Sequence, residues 1–389
     1  MALNIVALLI FALLLLVAGG WGWLEWNYRR QPGNHLAAEP GTWQLQVQKP
    51  QHYRLVGEML LVNRTQHLEI MVPQAEAEAT LLGQGSLAGV RWQTQITPCH
   101  EDMPAREDGY WFAYIVKVGK TTRVQVSLDI TGDDLTHLQS AWIRFRYVTY
   151  GPQGYIRQTR HVVVPLQFPD PMLPLAWENL PSAEVLPVKT HLLSHLDTPV
   201  EIVKRYVAPH AQPGDIVTIG ETPLAIMQGR WRSPTDVRPG WVAKRLCYFF
   251  LPTSSMATAC GLQTLVDIVG PARVLFAFFG GALAKILGKP GGFYQLAGEQ
   301  ARLIDDVTGT LPPYDQFIVL GPVDPQKVVE TIQRETGLLA AIVDVNDLKA
   351  VKIVAATPDT NPTVVTEALR SNPAGNADRQ TPLVLIRPK

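Results

Sequence analysis

The chain has 389 residues, and its 34 basic and 34 acidic side chains leave no formal net charge. A balanced charge excludes a generic nucleic-acid-binding protein, which presents a basic surface, so we expect no nucleic-acid partner. Charged residues make up 17% and apolar residues 47% of the chain, which excludes a mostly disordered protein. Three cysteines are too few for a disulfide framework or a thiolate zinc site. At about 150 residues per domain, we expect two or three folded units.

Residues 1–28 predict a transmembrane anchor. No charged side chain occurs between Met1 and Leu24, and about 20 apolar residues suffice to cross a bilayer. A cleaved signal peptide is the alternative, but it would carry Lys or Arg before its apolar core. Arg29 and Arg30 follow the run, which places the soluble domains in the cytoplasm by the positive-inside rule. The aromatic residues expected of an interfacial belt are Trp21, Trp23, Trp26 and Tyr28.

A second apolar stretch runs from Ile268 to Gly288. Arg273 and Lys285 interrupt it and leave only Val274–Ala284 uncharged between them. This run is too short to span a membrane. It predicts either a buried core helix or a helix that lies on the membrane surface.

The middle of the chain, residues 42–170, predicts an Ig-like β-sandwich. Residues 31–41 are rich in Pro and Gly and predict a linker before it. The sandwich is indicated by about seven to nine short runs with alternating apolar residues, divided by turn signals. The resemblance to immunoglobulin domains concerns architecture, because their Cys–Trp–Cys pattern is missing. The clearest strand candidates are Tyr53–Asn63, Gly109–Val118, Thr122–Ile130 and Ala141–Tyr150.

Residues 182–389 predict an α/β domain, which makes the whole chain an α+β multidomain protein. A Pro-rich segment, residues 169–182, marks its beginning. Helices are predicted over Pro199–Val207 and Pro325–Thr336. The strand-like runs are Val185–Val188, Asp215–Ile219, Ala301–Ile304, Phe317–Leu320, Ala340–Val343 and Leu383–Ile386.

Charges are divided unevenly along this last part. Residues 226–289 carry eight basic and two acidic side chains, whereas residues 298–347 carry nine acidic and three basic ones. If the two stretches face each other, one side suits phosphates and the other suits Mg²⁺ or Mn²⁺. Solvated faces or ion pairs between domains are the alternative. Four carboxylates follow strand-like runs and are our candidate metal ligands: Asp305, Asp306, Asp344 and Asp347.

A series of short motifs occurs in a fixed order along residues 184–389. They are Val185–Thr190, Gly214–Val217, Gln228–Arg230, Ile304–Asp305 followed by Leu311–Pro312, Asp324–Pro325, Ile342–Asp344 and Thr381–Arg387. In order and spacing they resemble the coenzyme F-420 gamma-glutamyl ligase (coenzyme F-420-0:L-glutamate ligase) family. The chain resembles a variant, membrane-anchored branch of that family.

The resemblance implies a chemistry and a set of ligands. Such ligases use GTP and a divalent metal to join L-glutamate to the lactyl-phosphate side of a deazaflavin coenzyme. For this chain we expect GTP, with ATP as the alternative, and Mg²⁺ or Mn²⁺. The expected course is an acyl phosphate attacked by the glutamate amine. The resemblance makes Asp305 and Asp344 metal ligands, whereas Asp306 and Asp347 are added from their chemistry alone. It also implies a small-molecule substrate and a homodimer.

The same resemblance places Arg230 near the nucleotide or acceptor phosphate. Gln228 and Gly229 belong to the same motif, and Lys244 and Arg245 follow it in the basic stretch. These five residues are the predicted nucleotide- or phosphate-binding group. They supply the side-chain charge and the backbone N–H groups that phosphates bind.

The chain departs from the family at Ala225–Arg230. The family has Ser-Lys-x-Glu-Gly-Arg, whereas this chain reads Ala-Ile-Met-Gln-Gly-Arg and has lost a lysine and a carboxylate. Two functions therefore stand side by side. One is a nucleotide- and metal-dependent ligase, and the other is a non-catalytic module that binds a nucleotide, a flavin-like ligand or a partner protein at the membrane. A third hypothesis assigns the function to the sandwich, with the last domain as scaffold of an envelope complex.

Overall fold

The structure is a computed structural model, and it describes residues 2–30, 33–252, 254–289, 291–306, 311–345, 350–375 and 379–389. Side chains are described from Ile10 onwards, except that of Asp306. The predicted metal ligand Asp347 and the side chain of Asp306 therefore lie outside the described part of the chain.

One long apolar helix, α1 (Ala2–Arg30), begins the chain. Its side chains from Ile10 to Leu24 are exposed, so they do not contribute to a protein core. By length and composition this helix can cross a membrane, and a signal sequence near the N-terminus passes the same test.

An Ig-like β-sandwich follows, as predicted. Its strands are β1 (Ala37–Lys49), β2 (His52–Val62), β3 (Ile70–Gly83), β4 (Arg91–Cys99), β5 (Tyr114–Val116), β6 (Thr121–Thr131), β7 (Leu138–Gly151) and β8 (Gly154–Pro165). They form two four-stranded antiparallel sheets in the orders β1-β2-β6-β4 and β5-β3-β7-β8. Alternate residues of each strand point inwards, and the core between the sheets contains Leu55, Val126 and Ile143.

Two local predictions for the sandwich are corrected. The linker predicted over residues 31–41 ends earlier, because β1 begins at Ala37, which pairs with Val62. The predicted strand Gly109–Val118 shrinks to β5. Trp111 lies in the loop before β5, where its indole N–H donates to the carbonyl oxygen of Val72 at 3.0 Å.

The rest of the chain contains a mixed sheet and a small second sheet. Its strands are β9 (Glu178–Asn179), β10 (Ala183–Val188), β11 (Ile216–Gly220), β12 (Trp231–Arg232), β13 (Asp305–Asp306), β14 (Ile318–Val319), β15 (Leu339–Val345), β16 (Val351–Ala356) and β17 (Leu383–Pro388). The mixed sheet has the order β16-β15-β11-β17-β10-β9, and the small sheet has the order β12-β14-β13. Within the mixed sheet only β11 and β15 pair in parallel; its other described pairs are antiparallel.

Nine helices accompany these strands in the described residues. They are α2 (Pro199–Ile202), α3 (Glu221–Met227), α4 (Trp241–Leu246), α5 (Ala259–Val269), α6 (Pro271–Ile286), α7 (Gly292–Ala297), α8 (Gln300–Leu303), α9 (Pro325–Thr336) and α10 (Pro362–Leu369). A π-helical run, Val203–Val207, continues α2. The run Ala301–Ile304, predicted as a strand, lies mostly in α8, because a four-residue apolar run carries no periodicity that separates helix from strand.

The mixed sheet is covered by helices on both faces. Residues of α2, the π-helical run and α9 pack on one face, where Tyr206, Ile219 and Ile332 are buried. Helix α10 packs on the other face through Val365 and Leu369. The buried strands are almost entirely apolar for this reason.

Helices α4 to α8 form a separate layer, which we call the helical subdomain (residues 241–303). Its core includes Leu246, Leu262, Leu265 and Phe293. The chain enters it after β12 and leaves it into β13, so the small sheet connects it to the rest of the fold.

The sandwich docks on this second part through an apolar interface. Val163 of β8 lies in one buried cluster with Trp231 and Phe317, and Trp142 of β7 packs against that cluster. The rings of Trp142 and Phe317 meet edge to face with centroids 5.5 Å apart. The interface therefore fixes the sandwich against the small sheet.

Candidate functional site

A cleft of about 410 Å³ opens at the carboxyl ends of the two parallel strands. Its walls come from the ends of β11 and β15, the start of α3, and the segments before α2 and β17. Ligands commonly bind at this end of strands in open sheets, because loops diverge there and leave space. The charged side chains that line it are Glu221, Arg302, Asp305 and Asp344.

Strand register brings two of these carboxylates together. Gly220 pairs with Val343 in the parallel pair of β11 and β15, so Glu221, the first residue of α3, and Asp344 of β15 each directly follow a residue of that pair. The Oε2 atom of Glu221 is buried and has no hydrogen-bond partner among the described residues. Loss of solvent raises the pKa of Glu221 to about 8, and the charges of Asp344 and Asp305 add to the rise, while Lys352 opposes it.

Asp305 approaches the same place from the small sheet. It pairs with Val319 in the β13–β14 ladder, which aims it towards the start of α3. The hydroxyl of Thr222 donates to Asp305 Oδ2 at 3.4 Å. Asp305 keeps contact with solvent, yet the protein atoms around it raise its pKa by desolvation. The Thr222 hydrogen bond opposes that rise and the charge of Asp344 adds to it.

Two basic side chains accompany the three carboxylates. Lys352 of β16 lies directly opposite Asp344 in the antiparallel β15–β16 ladder. Arg302, at the end of α8, lines the cleft and is exposed. The cleft can therefore offer carboxylate oxygens to a cation and basic groups to a phosphate.

The donor chemistry of the cleft fits Mg²⁺ or Mn²⁺, which prefer carboxylate oxygens. The unpartnered Oε2 atom of Glu221 is one such oxygen. Within the described ranges, no group of three or more His, Cys, Asp or Glu side chains is close enough to form a ready-made metal site. Mg²⁺ usually keeps several waters and takes only one or two carboxylates, with substrate phosphates as further ligands. Asp305 and Asp344 suit that kind of site.

Three residues of the predicted phosphate-binding group have structural roles near the cleft: two form hydrogen bonds to the backbone and one forms a turn. The side-chain amide of Gln228 donates to the carbonyl oxygen of Val323 and accepts from its N–H, both at 2.8 Å. Arg230 donates through Nε to the carbonyl oxygen of Gly321 at 3.2 Å. Gly229 has a φ of 66°, in the left-handed region that favours glycine, and ends the turn after α3. None of these three residues lines the cleft.

Lys244 and Arg245, the other two members, lie on α4 in the helical subdomain. Both are exposed, and neither lines the cleft. None of the five predicted phosphate-binding residues therefore lines the cleft that contains the acidic residues. Charge counting along the chain carries no information about which faces meet.

One wall of the cleft is a buried polar network around His191. Its Nε2 lies 2.9 Å from Asp197 Oδ1, and its Nδ1 lies 2.7 Å from the hydroxyl of Tyr206. Asp197 also accepts from the backbone N–H of Ser194 at 2.8 Å. Because the two ring nitrogens of His191 both have hydrogen-bond partners, the network stabilises this wall of the cleft.

Sequence reasoning missed Glu221, Arg302 and Lys352. Glu221 was detectable, because it directly follows the apolar run of β11, as Asp344 follows that of β15. Lys352 is brought opposite Asp344 only by the pairing of β15 with β16, which no local sequence pattern indicates. Arg302 carried no sequence signal.

Residues 37–168 match the family model for "F420-0:gamma-glutamyl ligase, N-terminal Ig-like domain". This match supports the family resemblance for the sandwich segment and agrees with its Ig-like fold. It falls outside residues 184–389, where the quoted motifs lie, and the ligase-like nature of that part stays a prediction. No curated protein matches the chain.

Solved structures similar to part of the chain include two yeast domains and an archaeal protein. The yeast GGA1 GAE domain is 10% identical, with a TM-score of 0.20, and the match covers 36% of this chain and 96% of that one. The GAE domain of GGA2p from Saccharomyces cerevisiae is 6% identical, with a TM-score of 0.19, over 34% and 98%. A protein from Archaeoglobus fulgidus is 11% identical, with a TM-score of 0.18, over 34% and 100%. Similarity at this level identifies neither a family nor a function.

Proposed function

We propose that the chain is a membrane-tethered gamma-glutamyl ligase-like protein that uses a nucleotide and a divalent metal to join L-glutamate to a phosphate-bearing acceptor. The observation that carries the proposal is the cleft that Asp305, Asp344 and Glu221 all line, with Lys352 opposite Asp344 on the neighbouring strand. The Ig-like segment supports it, because the matching family model describes a domain that stands N-terminal in such ligases.

The charges of the cleft suit the individual steps of this reaction. The terminal phosphoryl group of GTP or ATP passes to the acceptor carboxylate, giving an acyl phosphate and the nucleoside diphosphate. The amine of glutamate then displaces inorganic phosphate, releases a proton and forms the amide. A divalent cation bound by Asp305 and Asp344 would offset the negative charge of the phosphates. Arg302, which lines the cleft, and Lys352, which lies opposite Asp344 in the β15–β16 ladder but does not line the cleft, would hold phosphate oxygens.

In this proposal α1 crosses the membrane once and anchors the chain there. Arg29 and Arg30 at its end orient the sandwich and the cleft to the cytoplasm. The homodimer implied by the resemblance belongs to the same proposal. Its substrate is a small molecule, since the cleft volume of about 410 Å³ is within the usual range of ligand pockets.

A non-catalytic binding module is the second candidate, and one observation favours it. Ala225 and Ile226 replace the family's Ser and Lys and are buried among apolar side chains. Gln228 is engaged with the backbone of Val323. The segment that supplies charge in the family therefore supplies none to this cleft. Such a module would bind a nucleotide or flavin-like ligand without turnover.

The test is calorimetric titration of GTP, then ATP, into the full chain with and without Mn²⁺, followed by a phosphate-release assay with glutamate. The full chain is required because the interface at Phe317 is shared with the sandwich. The key variant carries Asp305→Asn and Asp344→Asn. Its matched control carries Asp359→Asn and Glu367→Gln, two exposed carboxylates outside the cleft.

The proposal expects metal-dependent nucleotide binding that is lost in the cleft variant and kept in the control. Phosphate release that depends on glutamate and an acceptor identifies a ligase. Binding without release in any acceptor mixture identifies the non-catalytic module. Absence of nucleotide binding by a folded full chain contradicts the ligase and leaves the non-catalytic module only with a flavin-like ligand or a partner protein.

A further inference from the structure

The helical subdomain exposes a continuous apolar surface. Six large apolar side chains on it are more than half exposed, which is unusual for a soluble surface when such residues adjoin one another. We call them the apolar patch: Tyr248, Phe249, Phe276, Phe279, Leu283 and Ile286. Their exposed fractions run from 58% to 86%.

Helix α6 provides most of the patch because its sequence is apolar on two sides. Phe276, Phe279, Leu283 and Ile286 follow a spacing of three and four residues, so they share one helix face. The opposite face is buried against α7. At Gly281 an added Cβ would lie only 2.5 Å from the backbone nitrogen of Phe293, which shows how closely the two helices approach. The packed face is therefore fixed, and the other apolar face is left without a protein neighbour among the described residues.

The segment after α4 extends the same surface. The rings of Phe249 and Phe278 have centroids 5.3 Å apart, and Phe278 contacts Phe279 at 5.5 Å. Trp241, at the start of α4, is also exposed. Aromatic residues with a polar atom, such as Trp and Tyr, favour the boundary between water and lipid.

Basic side chains adjoin the patch residues along the chain, on α4 and at or just after the end of α6. Lys244, Arg245, Lys285 and Lys289 are exposed, and none of them forms an ion pair with any residue that the structure describes. Asp267, one of the two acids in residues 226–289, is already paired with Arg232 at 2.7 Å. The surroundings of the patch are thus positive and complement an anionic surface.

We infer that the apolar patch docks on an anionic lipid bilayer, with α6 lying in the plane of the membrane interface. An apolar helix face bordered by Lys and Arg is the pattern of such interfacial helices. The occupant is a lipid surface, because apolar and aromatic residues bordered by unpaired cations match acyl chains bordered by anionic headgroups. This inference is independent of any activity in the cleft.

Spanning the membrane does not fit the geometry. Helices α5 and α6 together are apolar enough, but they bend by 113° at the break between them. Leu262 and Leu265 of α5 are buried in the core of the helical subdomain. The uncharged run Val274–Ala284 of α6 measures about 16 Å at 1.5 Å per residue, about half of the hydrocarbon core.

The test is hydrogen–deuterium exchange of the full chain in lipid nanodiscs that hold one chain each. Nanodiscs of phosphatidylcholine alone are compared with nanodiscs containing about 30% phosphatidylglycerol. Exchange is read in peptides from residues 241–251 and 271–289, so that insertion of α1 does not contribute to the signal. Exchange in α5, whose Leu262 and Leu265 are buried in the core of the helical subdomain, reports whether each patch variant is folded.

Two double variants and their controls complete the design. Phe279→Ser with Leu283→Ser removes apolar area from the patch, and Met172→Ser with Leu173→Ser removes exposed apolar area elsewhere. Lys285→Glu with Lys289→Glu reverses charge beside the patch. Its control, Lys49→Glu with Lys120→Glu, reverses two exposed charges on the sandwich.

The inference expects slower exchange in both peptides of the wild-type chain in anionic nanodiscs than in the apolar-patch variant, with both controls like wild type. The charge variant should lose the difference between anionic and neutral nanodiscs. Equal exchange in the wild-type chain and the folded apolar-patch variant overturns lipid docking. Hydrogen exchange that slows as much in neutral nanodiscs as in anionic ones, and as much in the charge variant as in the wild-type chain, shows that anionic headgroups are not the partner.

Discussion

Glu221 and Asp344 stand side by side at the carboxyl ends of two parallel strands, because the residues before them, Gly220 and Val343, are paired. Burial of Glu221 makes its ionised form costly, and the nearby charges of Asp344 and Asp305 add to that cost. The pKa of Glu221 is raised to about 8 as a result. A divalent cation relieves both effects, which is why we place the metal of the proposed ligase here.

Glu221→Gln should weaken Mn²⁺ binding to the full chain. The change keeps the shape of the side chain but removes a carboxyl group that a bound cation would ionise beside the proposed ligands Asp305 and Asp344. Residues in such supporting positions typically change metal affinity about 10- to 100-fold. Mn²⁺ titration followed by calorimetry measures the change, with Glu367→Gln as the exposed control. Equal affinity in Glu221→Gln and wild type would remove Glu221 from the site.

His195 should make the protein less stable in mild acid. Both of its ring nitrogens are buried without hydrogen-bond partners in the described structure. Burial lowers its pKa to about 4, the positive charge of Arg160 lowers it further, and Asp197 opposes the shift. The unfolded chain therefore binds more protons between pH 6.5 and 4, so the free energy of unfolding falls as the pH falls through this window.

The matched variants are His195→Phe and, as a control, His67→Phe at an exposed position. Chemical unfolding at pH 7.5 and pH 4.5 measures the effect. His195→Phe should reduce the loss of stability in acid by about 3 kcal/mol at most, since one pKa unit corresponds to about 1.4 kcal/mol. An acid dependence that is unchanged by His195→Phe would show that other groups cause it.

Phe317→Ala should uncouple the sandwich from the rest of the chain. Phe317 is 1% exposed, and its ring meets those of Trp231 and His161 with centroids 4.7 and 5.0 Å away. Truncating a buried Phe costs about 3–5 kcal/mol. We expect two separated calorimetric transitions and faster proteolysis within residues 169–177. As a control, Phe276→Ala removes an exposed ring and should leave the calorimetric and proteolysis profiles the same as those of the wild type.

Asp215 and Arg387 should contribute strongly to the stability of the mixed sheet. Arg387 donates to both carboxylate oxygens of Asp215, at 3.1 and 2.8 Å, and Asp215 is 2% exposed. Asp215→Ala leaves Arg387 without its partner and should cost about 3 kcal/mol in the free energy of unfolding. Denaturant unfolding checks this value against Asp359→Ala, an exposed control. A loss as small as that of the control would contradict the role of the pair.

Much of the fold follows from periodicity in the sequence. Three of the four clearest sandwich strands and the helix Pro325–Thr336 were predicted closely, because alternating runs and amphipathic segments are local signals. The run Ala301–Ile304 was misassigned because four apolar residues fit a helix as well as a strand. Helix α6 was predicted as a core helix or a surface helix, and its two apolar faces explain why both patterns were visible.

The site was predictable only in part. Asp305 and Asp344 were named as candidate metal ligands because both follow apolar runs, and both line the cleft. Lys244 and Arg245 were assigned to the same site from a charge count, whereas folding carries them to the helical subdomain. Lys352 reaches Asp344 through strand pairing, and pairing partners are not encoded in any local pattern. Long-range register is thus the information that sequence reasoning lacked.

The most direct test of the account is a count of Mn²⁺ ions bound by the full chain, measured by electron paramagnetic resonance with and without GTP. We predict specific Mn²⁺ binding that GTP strengthens and that the variant Asp305→Asn with Asp344→Asn loses. The control Asp359→Asn with Glu367→Gln should bind as wild type does. Equal Mn²⁺ binding by the cleft variant and the control would contradict the assignment of the metal and nucleotide site to this cleft.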